Sequence, residues 1–341
     1  MPNVMLTYRC NLRCSYCFAN EFVNGSNVDI TPENFKKAID FLTSDGVCAI
    51  GLIGGEPTIH PHFSEYLEQI SQNEKIARAT LYTNGLLISD FIDYLKDEKF
   101  YILVNCNSPK VIGESNFENL VKQLDLLYSI EDAKNRVSLG INLYSDSIDY
   151  SYILVLAKRY NVHRLRMSVT VPNLSENKDQ SSMEYLRSRK KFTLRFIKDC
   201  AESQILPYYD CNSIPQCIWN DEEIKEIQAI IDGFGVKRTN LLGYHSFCKP
   251  VIDILPNLNA VRCFGMSDFL KVPISDFSDL NELRDYFINM IDSYVYHIPC
   301  EEDCITCHQR QSQRCAAGCM AFVQHKLDKI SEAKINQIGE S

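Results

Sequence analysis

No apolar run in the chain approaches the roughly 18 residues that a bilayer-spanning helix needs, which excludes a helical membrane protein. The stretch from Met1 to Cys10 is too short and too polar for a signal peptide, so the sequence predicts a cytoplasmic protein. Basic runs are scarce as well. The densest, Arg187 to Lys191, falls on a predicted helix and reads as a solvated face, and the formal net charge is −9. A surface of that sign repels phosphate backbones, so duplex nucleic acid is excluded as the main partner. There is no Ser-His-Asp array, phosphate-binding glycine loop, dinucleotide fingerprint, internal repeat or low-complexity segment. The single tryptophan, Trp219, and the pair His60 and His62 read as ordinary packing and surface-turn residues.

Cysteine, by contrast, is abundant, with 15 in 341 residues. In a compartment that keeps thiols reduced, that number points to metal rather than to disulfides. Three of them, Cys10, Cys14 and Cys17, follow one another as Cys-x3-Cys-x2-Cys. At this composition chance supplies about 0.03 such triplets in the whole chain. Three thiolates on one short loop suit three corners of a four-iron, four-sulfur cluster and leave the fourth iron without a protein ligand. A zinc knuckle needs a fourth nearby ligand, which this stretch lacks.

The first two-thirds of the chain alternates short apolar runs with amphipathic stretches. Strands are predicted at Val4–Tyr8, Val47–Ile53, Arg78–Tyr82, Tyr101–Asn105, Val137–Leu143 and Arg164–Val171. Helices are predicted at Pro32–Thr43, with Thr31 as N-cap, and at Phe63–Gln72, Phe91–Lys96, Asn116–Tyr128, Ile148–Arg159 and Glu184–Ser203. Repeated strand–helix units predict an α/β fold with a parallel sheet, whose chemistry sits at the carboxyl ends of the strands. The cysteine loop directly follows the first strand. From Cys211 onward the helical periodicity weakens and cysteines crowd in. There Val251–Leu255 and Ala260–Phe264 read as a β-hairpin, and Leu280–Tyr296 and Met320–Lys334 as helices. This change of character places a domain boundary near residue 205, giving domains 1–205 and 206–341.

Turns at the carboxyl ends of the strands carry further candidates. Gly54-Gly55-Glu56-Pro57 ends the second strand. Its glycines permit close backbone approach, Glu56 can accept from an ammonium group, and Pro57 fixes the turn. Thr83-Asn84-Gly85 ends the third strand and Asn105-Cys106-Asn107-Ser108 the fourth, while Asn142 lies on the fifth.

The triplet Cys10, Cys14 and Cys17, with Tyr16 just before the last cysteine and Gly54–Pro57 downstream, resembles the radical S-adenosylmethionine (SAM) enzymes. The resemblance implies a partial (β/α)6 barrel whose [4Fe-4S] cluster is held by Cys10, Cys14 and Cys17. Its open iron would chelate the amino and carboxylate groups of SAM. One electron would then yield methionine and a 5′-deoxyadenosyl radical that abstracts a substrate hydrogen. The backbone at Tyr16 would lie near the adenine, Gly54, Gly55, Glu56 and Pro57 would hold the methionine moiety, and Asn84, Asn105, Asn107 and Asn142 are further candidates for SAM contacts.

The later cysteines, Cys248-x14-Cys263 and Cys304-x2-Cys307-x7-Cys315-x3-Cys319, resemble the SPASM extension, which binds auxiliary iron–sulfur clusters. Two features depart from its pattern: the long spacing between Cys307 and Cys315, and the absence of a cysteine after Cys319. One assignment gives a first cluster Cys248, Cys263 and Cys319, completed by Cys217 or Cys211. A second cluster would take Cys304, Cys307 and Cys315, with Cys300, His325 or an open iron in the fourth place. A single auxiliary cluster is the alternative. Cys48, Cys106 and Cys200 read as core thiols. Cys106, Cys211 and Cys217 are also candidates to return a hydrogen atom to a substrate radical.

The resemblance therefore implies an enzyme that modifies a peptide or protein residue, by thioether or carbon–carbon crosslinking, epimerisation or oxidation. Its electron donor would be of ferredoxin or flavodoxin type. Only nine residues precede Cys10, so a leader peptide would be read by a separate protein, by the barrel, or not at all. The alternative is a small-molecule radical SAM dehydrogenase or cofactor-biosynthesis enzyme, and a third reading is a non-enzymatic cluster carrier.

Overall fold

The structure, a computed structural model, describes residues 1–17, 23, 28–171, 181–237, 239–243, 248–267, 269–298 and 300–323. Two compact units divide the chain. The first comprises Met1–Ile141, Asp149–Arg166 and Val251–Arg284; the second takes Asn142–Ile148, Met167–Pro250 and the chain from Asp285 onward.

In the first unit, strands β1 (Asn3–Met5), β2 (Cys48–Ile53), β3 (Ile76–Thr83), β4 (Phe100–Asn105) and β5 (Val137–Leu143) pair in parallel in that order. Ile50, Leu52, Ala79, Leu81 and Val104 are fully buried on them, as expected where helices cover a parallel sheet. Intervening helices include α1 (Pro32–Leu42), α2 (Phe63–Gln72), α3 (Ile92–Leu95) and α4 (Glu114–Leu127). Thr31 caps α1 by accepting the Asn34 N–H, Pro32 opens its first turn, and Phe35, Ala38, Ile39 and Leu42 form the buried stripe. Phe35 stacks on Tyr66 of α2 with ring centroids 4.0 Å apart. Each such side chain contributes about 1.5–3 kcal/mol by leaving water.

The register brings Met5 opposite Ile53, Leu52 opposite Leu81, Thr83 opposite Val104 and Asn105 opposite Gly140. The carboxyl ends of β1 to β4 thus share one rim, where the candidate turns lie. Helix α5 (Ser151–Arg159) leads to β6 (Arg164–Val169), which begins in the first unit and ends in the second. The expected hairpin is present in the first unit as β8 (Asp253–Ile254) and β9 (Asn259–Val261), antiparallel to each other. Strand β8 also adds in parallel to β1, and β10 (Val272–Pro273) pairs with β9.

In the second unit α6 (Ser182–Glu202), capped by Ser181, packs against β7 (Leu206–Tyr209), the turn Gln216–Ile218 and α7 (Asp221–Gly233). Helix α7 lies where the sequence shows weak periodicity, and a local signal starts it. Asn220 accepts the Glu223 N–H while Glu223 accepts the Asn220 N–H, a reciprocal cap. The helix expected over 280–296 is divided: α8 (Leu280–Phe287) runs into a π-helical segment, Ile288–Asp292, before Ser293–Val295. Of the helix expected at 320–334, Met320–Val323 forms a short 3-10 turn, and the remainder, with His325, lies outside the described residues. Among the described residues, no helix is long and apolar enough to cross a membrane.

Candidate active site

The cysteine loop is closed at its base by backbone. The Leu6 carbonyl accepts the Ile30 N–H at 2.8 Å, and the Tyr8 N–H donates to the Val28 carbonyl at 2.8 Å. Asp29 then ties the two ends with side chains. It accepts from the Thr7 hydroxyl at 2.5 Å and from Arg9 through Nε and Nη2 at 2.9 and 2.7 Å. Burial pushes the Asp29 carboxyl up, but these bonds outweigh it and hold the group below the usual carboxylate range.

Against this closed base lies the Gly54-Gly55 turn. Gly55 N–H donates to the Thr7 carbonyl and Glu56 N–H to the Arg9 carbonyl, at 2.8 and 2.9 Å. A Cβ on Gly55 would lie 2.3 Å from the Arg9 oxygen and 3.0 Å from Cys10 Cβ; one on Gly54 would lie 2.7 Å from the Thr7 oxygen. Both glycines are therefore required by close approach, which seats the turn directly on the chain that carries Cys10.

Glu56 is 1% exposed. Its Oε1 accepts from the Thr58 N–H, the Thr58 hydroxyl and the Thr83 hydroxyl, and its Oε2 accepts the Asn84 N–H at 2.7 Å. Burial pushes this carboxyl up, against those bonds. The side chain thus pins the end of β2 to the end of β3 and keeps acceptor capacity free at Oε2 alone. Asn84 Nδ2 reaches back to Asn11 Oδ1 at 2.6 Å, and the Tyr16 hydroxyl donates to Asn107 Oδ1. The cysteine loop is therefore gripped from the ends of β2, β3 and β4 in turn. Asn105 Oδ1 accepts from Arg166 at 3.4 Å, and Gly140 leaves room for that guanidinium arm. Asn142 belongs to the second unit. Cys106 is buried, with its thiol donating to the Val104 carbonyl at 3.5 Å and burial pushing its pKa up to about 12.

His60, expected on the surface, is instead buried. Its Nδ1 accepts the His62 N–H at 3.1 Å, so Nε2 carries the proton and donates to the Ile30 carbonyl at 3.0 Å. Burial lowers its pKa, in keeping with a neutral ring. His60, Asp29 and Asn11 were not recognisable as supports in the sequence, since each acts on the loop only through the folded backbone.

Cys10, Cys14 and Cys17 are each partly exposed and unpaired by disulfides. Burial pushes Cys10 up to about 11, and the charges of Glu56, Cys14 and Cys17 add to it, so the three thiols lie within electrostatic reach of one another. The Leu12 N–H donates to Cys10 Sγ at 3.4 Å. Among the described residues no group of three or more His, Cys, Asp or Glu side chains surrounds a single metal ion. A four-iron cluster spreads its thiolates over separate irons, and three thiols on one closed loop, none in a disulfide, fit that demand.

The other cysteines divide by unit. Cys263 belongs to the first unit, and Cys211, Cys217, Cys248, Cys300, Cys304, Cys307, Cys315 and Cys319 to the second. Asn212 holds the Cys319 N–H at 2.9 Å while donating to the Val169 carbonyl at 2.5 Å, which sets Cys319 beside the Cys211–Asn212 turn. The Cys248 N–H donates to the Tyr296 hydroxyl at 3.3 Å.

Residues 4–129 match the model of the Radical SAM superfamily. The antilisterial bacteriocin subtilosin biosynthesis protein AlbA of Bacillus subtilis is 32% identical over 110 residues, 32% of this chain and 24% of AlbA. The GTP 3',8-cyclase of Clostridium perfringens is 30% identical over 146 residues, 41% of this chain and 44% of the cyclase. The chain therefore spans less than half the length of either relative. Among solved structures, Streptococcus suis SuiB bound to S-adenosylmethionine aligns with a TM-score of 0.61 at 17% identity, over 94% of this chain and 72% of SuiB. SuiB bound to its precursor peptide SuiA aligns with a TM-score of 0.52 at 16% identity, over 84% of this chain and 64% of SuiB. At such identities the likeness to SuiB is one of fold. The matched residues 4–129 are those that carry the closed cysteine loop and the glycine turn seated on it, and over this stretch the chain is similar to the radical SAM superfamily.

Proposed function

We propose that the chain is a radical SAM enzyme that abstracts hydrogen from a residue of a peptide or protein. The observation that carries this reading is the seating of Gly55 on Arg9 and Cys10, which fuses the three-thiol loop and the Gly54–Pro57 turn into one rigid rim. Cys10, Cys14 and Cys17 would hold a [4Fe-4S] cluster with one iron open to SAM. When bound, these groups supply one-electron cleavage of a sulfonium and hydrogen abstraction.

The chain's own residues orient the ligand. Backbone groups of Gly54 and Gly55 would meet the methionine moiety, and the backbone at Tyr16 would meet the adenine. Asn84, Asn105, Asn107 and Asn142 are proposed as further polar contacts. Glu56 acts chiefly as a positioning residue, because its carboxylate already holds the turns after β2 and β3 together. We assign the barrel to residues 1–205 and the auxiliary-cluster region to 206–341. Cys106, Cys211 and Cys217 are proposed as candidates to return hydrogen to substrate where the reaction requires it.

A peptide or protein substrate is supported by the relative AlbA, named for subtilosin biosynthesis, and by the fold shared with SuiB. The similarity to GTP 3',8-cyclase favours a second reading, a small-molecule substrate. A reduced ferredoxin or flavodoxin would supply the electron. Anaerobic reconstitution with iron and sulfide, followed by reaction with SAM and dithionite, should yield 5′-deoxyadenosine. Mass spectrometry of candidate peptides then separates the readings: a mass change or solvent deuterium uptake supports the peptide substrate, and turnover of GTP-like compounds alone overturns it.

A further inference from the structure

The strands of the first unit present two unlike faces. Leu81, Ile102, Val104 and Leu139 are buried on one, and a Cβ on Gly85 would meet Val104 Cγ1 at 2.7 Å and Leu120 Cδ1 of α4 at 2.8 Å. That face lies under the helices. Side chains alternate along a strand, so Tyr82, Leu103, Asn105 and Gly140 belong to the other, inner face. There the register sets Tyr82 beside Leu103 and Asn105 beside Gly140. Gly140 leaves a gap in this face: a Cβ on it would lie 3.0 Å from Arg166 Cδ and 3.4 Å from Asn105 Oδ1. Arg166, buried on β6, lays its side chain across β5 through the gap, and its Nη1 donates to Asn105 Oδ1 on β4 at 3.4 Å. All three residues belong to the first unit.

A guanidinium carries donors and no acceptor, so Asn105 has to turn its amide oxygen toward Arg166. Its Nδ2 then faces away with two hydrogens to give, and among the described residues Arg166 is the one side-chain partner of Asn105. Asn105 ends β4, two residues before Asn107, whose Oδ1 accepts from the Tyr16 hydroxyl. The free donor therefore stands at the rim that grips the cysteine loop. We propose that Arg166 is a positioning residue for SAM, which it serves through Asn105: it fixes the amide so that Nδ2 donates to an acceptor oxygen of SAM, on the ribose or on the carboxylate. Gly140 is the opening that admits the arm. Without Arg166 the amide is free to turn over and set its own oxygen against that acceptor, which repels it. Residues on three successive strands thus act as one device, and two of them never touch the ligand.

The proposal rests on the radical SAM reading above. Its test measures the affinity of the full, anaerobically reconstituted chain for labelled SAM by equilibrium dialysis. Circular dichroism serves as the folding control, and the electron paramagnetic resonance (EPR) spectrum checks that each variant keeps its cluster. Arg166→Ala and Asn105→Ala should each weaken SAM binding by about tenfold. The decisive measurement is the double change: Arg166→Ala added to Asn105→Ala should cost less than about twofold more, because the first residue acts only through the second. Gly140→Ala should weaken binding severalfold by displacing the arm, with no further loss once Arg166 is Ala, and it gives the same reading if Arg166→Ala fails to fold. Methionine and 5′-deoxyadenosine, titrated separately, locate the oxygen: the fragment that carries it should lose affinity alike in Arg166→Ala and Asn105→Ala. Full additional loss in the double variant, an Arg166→Ala chain that binds SAM as its parent does, or a fragment affected by one variant alone overturns the proposal and leaves the broader reading intact. A parent that binds no SAM overturns both.

Discussion

Between Thr7 and Cys17 the chain is held first by main-chain contacts, paired amides at 6–8 and 28–30 and a glycine turn pressed onto Arg9 and Cys10, to which Asp29, Asn84 and Asn107 add side-chain bonds. In the second unit the segment from Val295 to Cys315 is held chiefly by side chains, Arg187 on Glu301 and Arg310 on three carbonyls. The first arrangement fixes spacing in the sequence, because a glycine or a cysteine moved by one position would break the contact. The second leaves spacing loose, because long side chains bridge segments that are far apart in the chain. A rigid rim suits a site that must orient a ligand.

Gly55→Ala tests that contrast most severely. Its Cβ would meet backbone 2.3 Å away, which no rotamer relieves. We expect SAM cleavage to fall by at least about 100-fold, whereas Gly233→Ala, with nothing within 4 Å, should stabilise the chain slightly, by up to about 1 kcal/mol. Cleavage assays and thermal melts check both.

Glu56→Ala comes next. It strands the Thr83 and Thr58 hydroxyls and the Asn84 N–H in a buried turn, and about 2–4 kcal/mol of stability should be lost by urea unfolding. Asp29→Asn should cost less, about 1 kcal/mol, because the group is partly exposed. The Asp29 carboxyl is depressed in the fold, so its contribution is present above the unfolded value of 3.8 and fades as pH falls below it. Urea midpoints for the parent and Asp29→Asn should therefore converge in acid and separate at neutral pH.

Arg187→Ala is the mildest. Its pair with Glu301 is half exposed, so stability should change by about 1 kcal/mol or less. Iron retention in the second unit should nevertheless drop severalfold, with SAM cleavage at the first loop retained. Equal losses at both regions would contradict their independence.

The same contrast explains what was legible beforehand. The strand over Val137–Leu143 and the helix over Phe63–Gln72 match their expected bounds, because the period of their apolar residues decides them. Cys10, Cys14 and Cys17 stand out because one loop carries them all. Helix α7 is absent from the predicted elements although Asn220 and Glu223 mark its start, and it buries only Ile227 and Ile231, a narrow apolar stripe. The roles of Asn11, Asp29 and Arg310 were invisible for a different reason: each acts on a carbonyl or side chain that only folding brings near. The resemblance offers Cys217 or Cys211 to complete the set of Cys248, Cys263 and Cys319, and the turn that carries Cys217 packs on α6.

The central claim is that the loop of Cys10, Cys14 and Cys17 holds a cluster with one iron open to SAM. Reduced, reconstituted protein should show an EPR spectrum that shifts when SAM is added, and that shift should vanish when the three cysteines are changed to Ala. A spectrum that SAM leaves unaltered in the intact protein would contradict it.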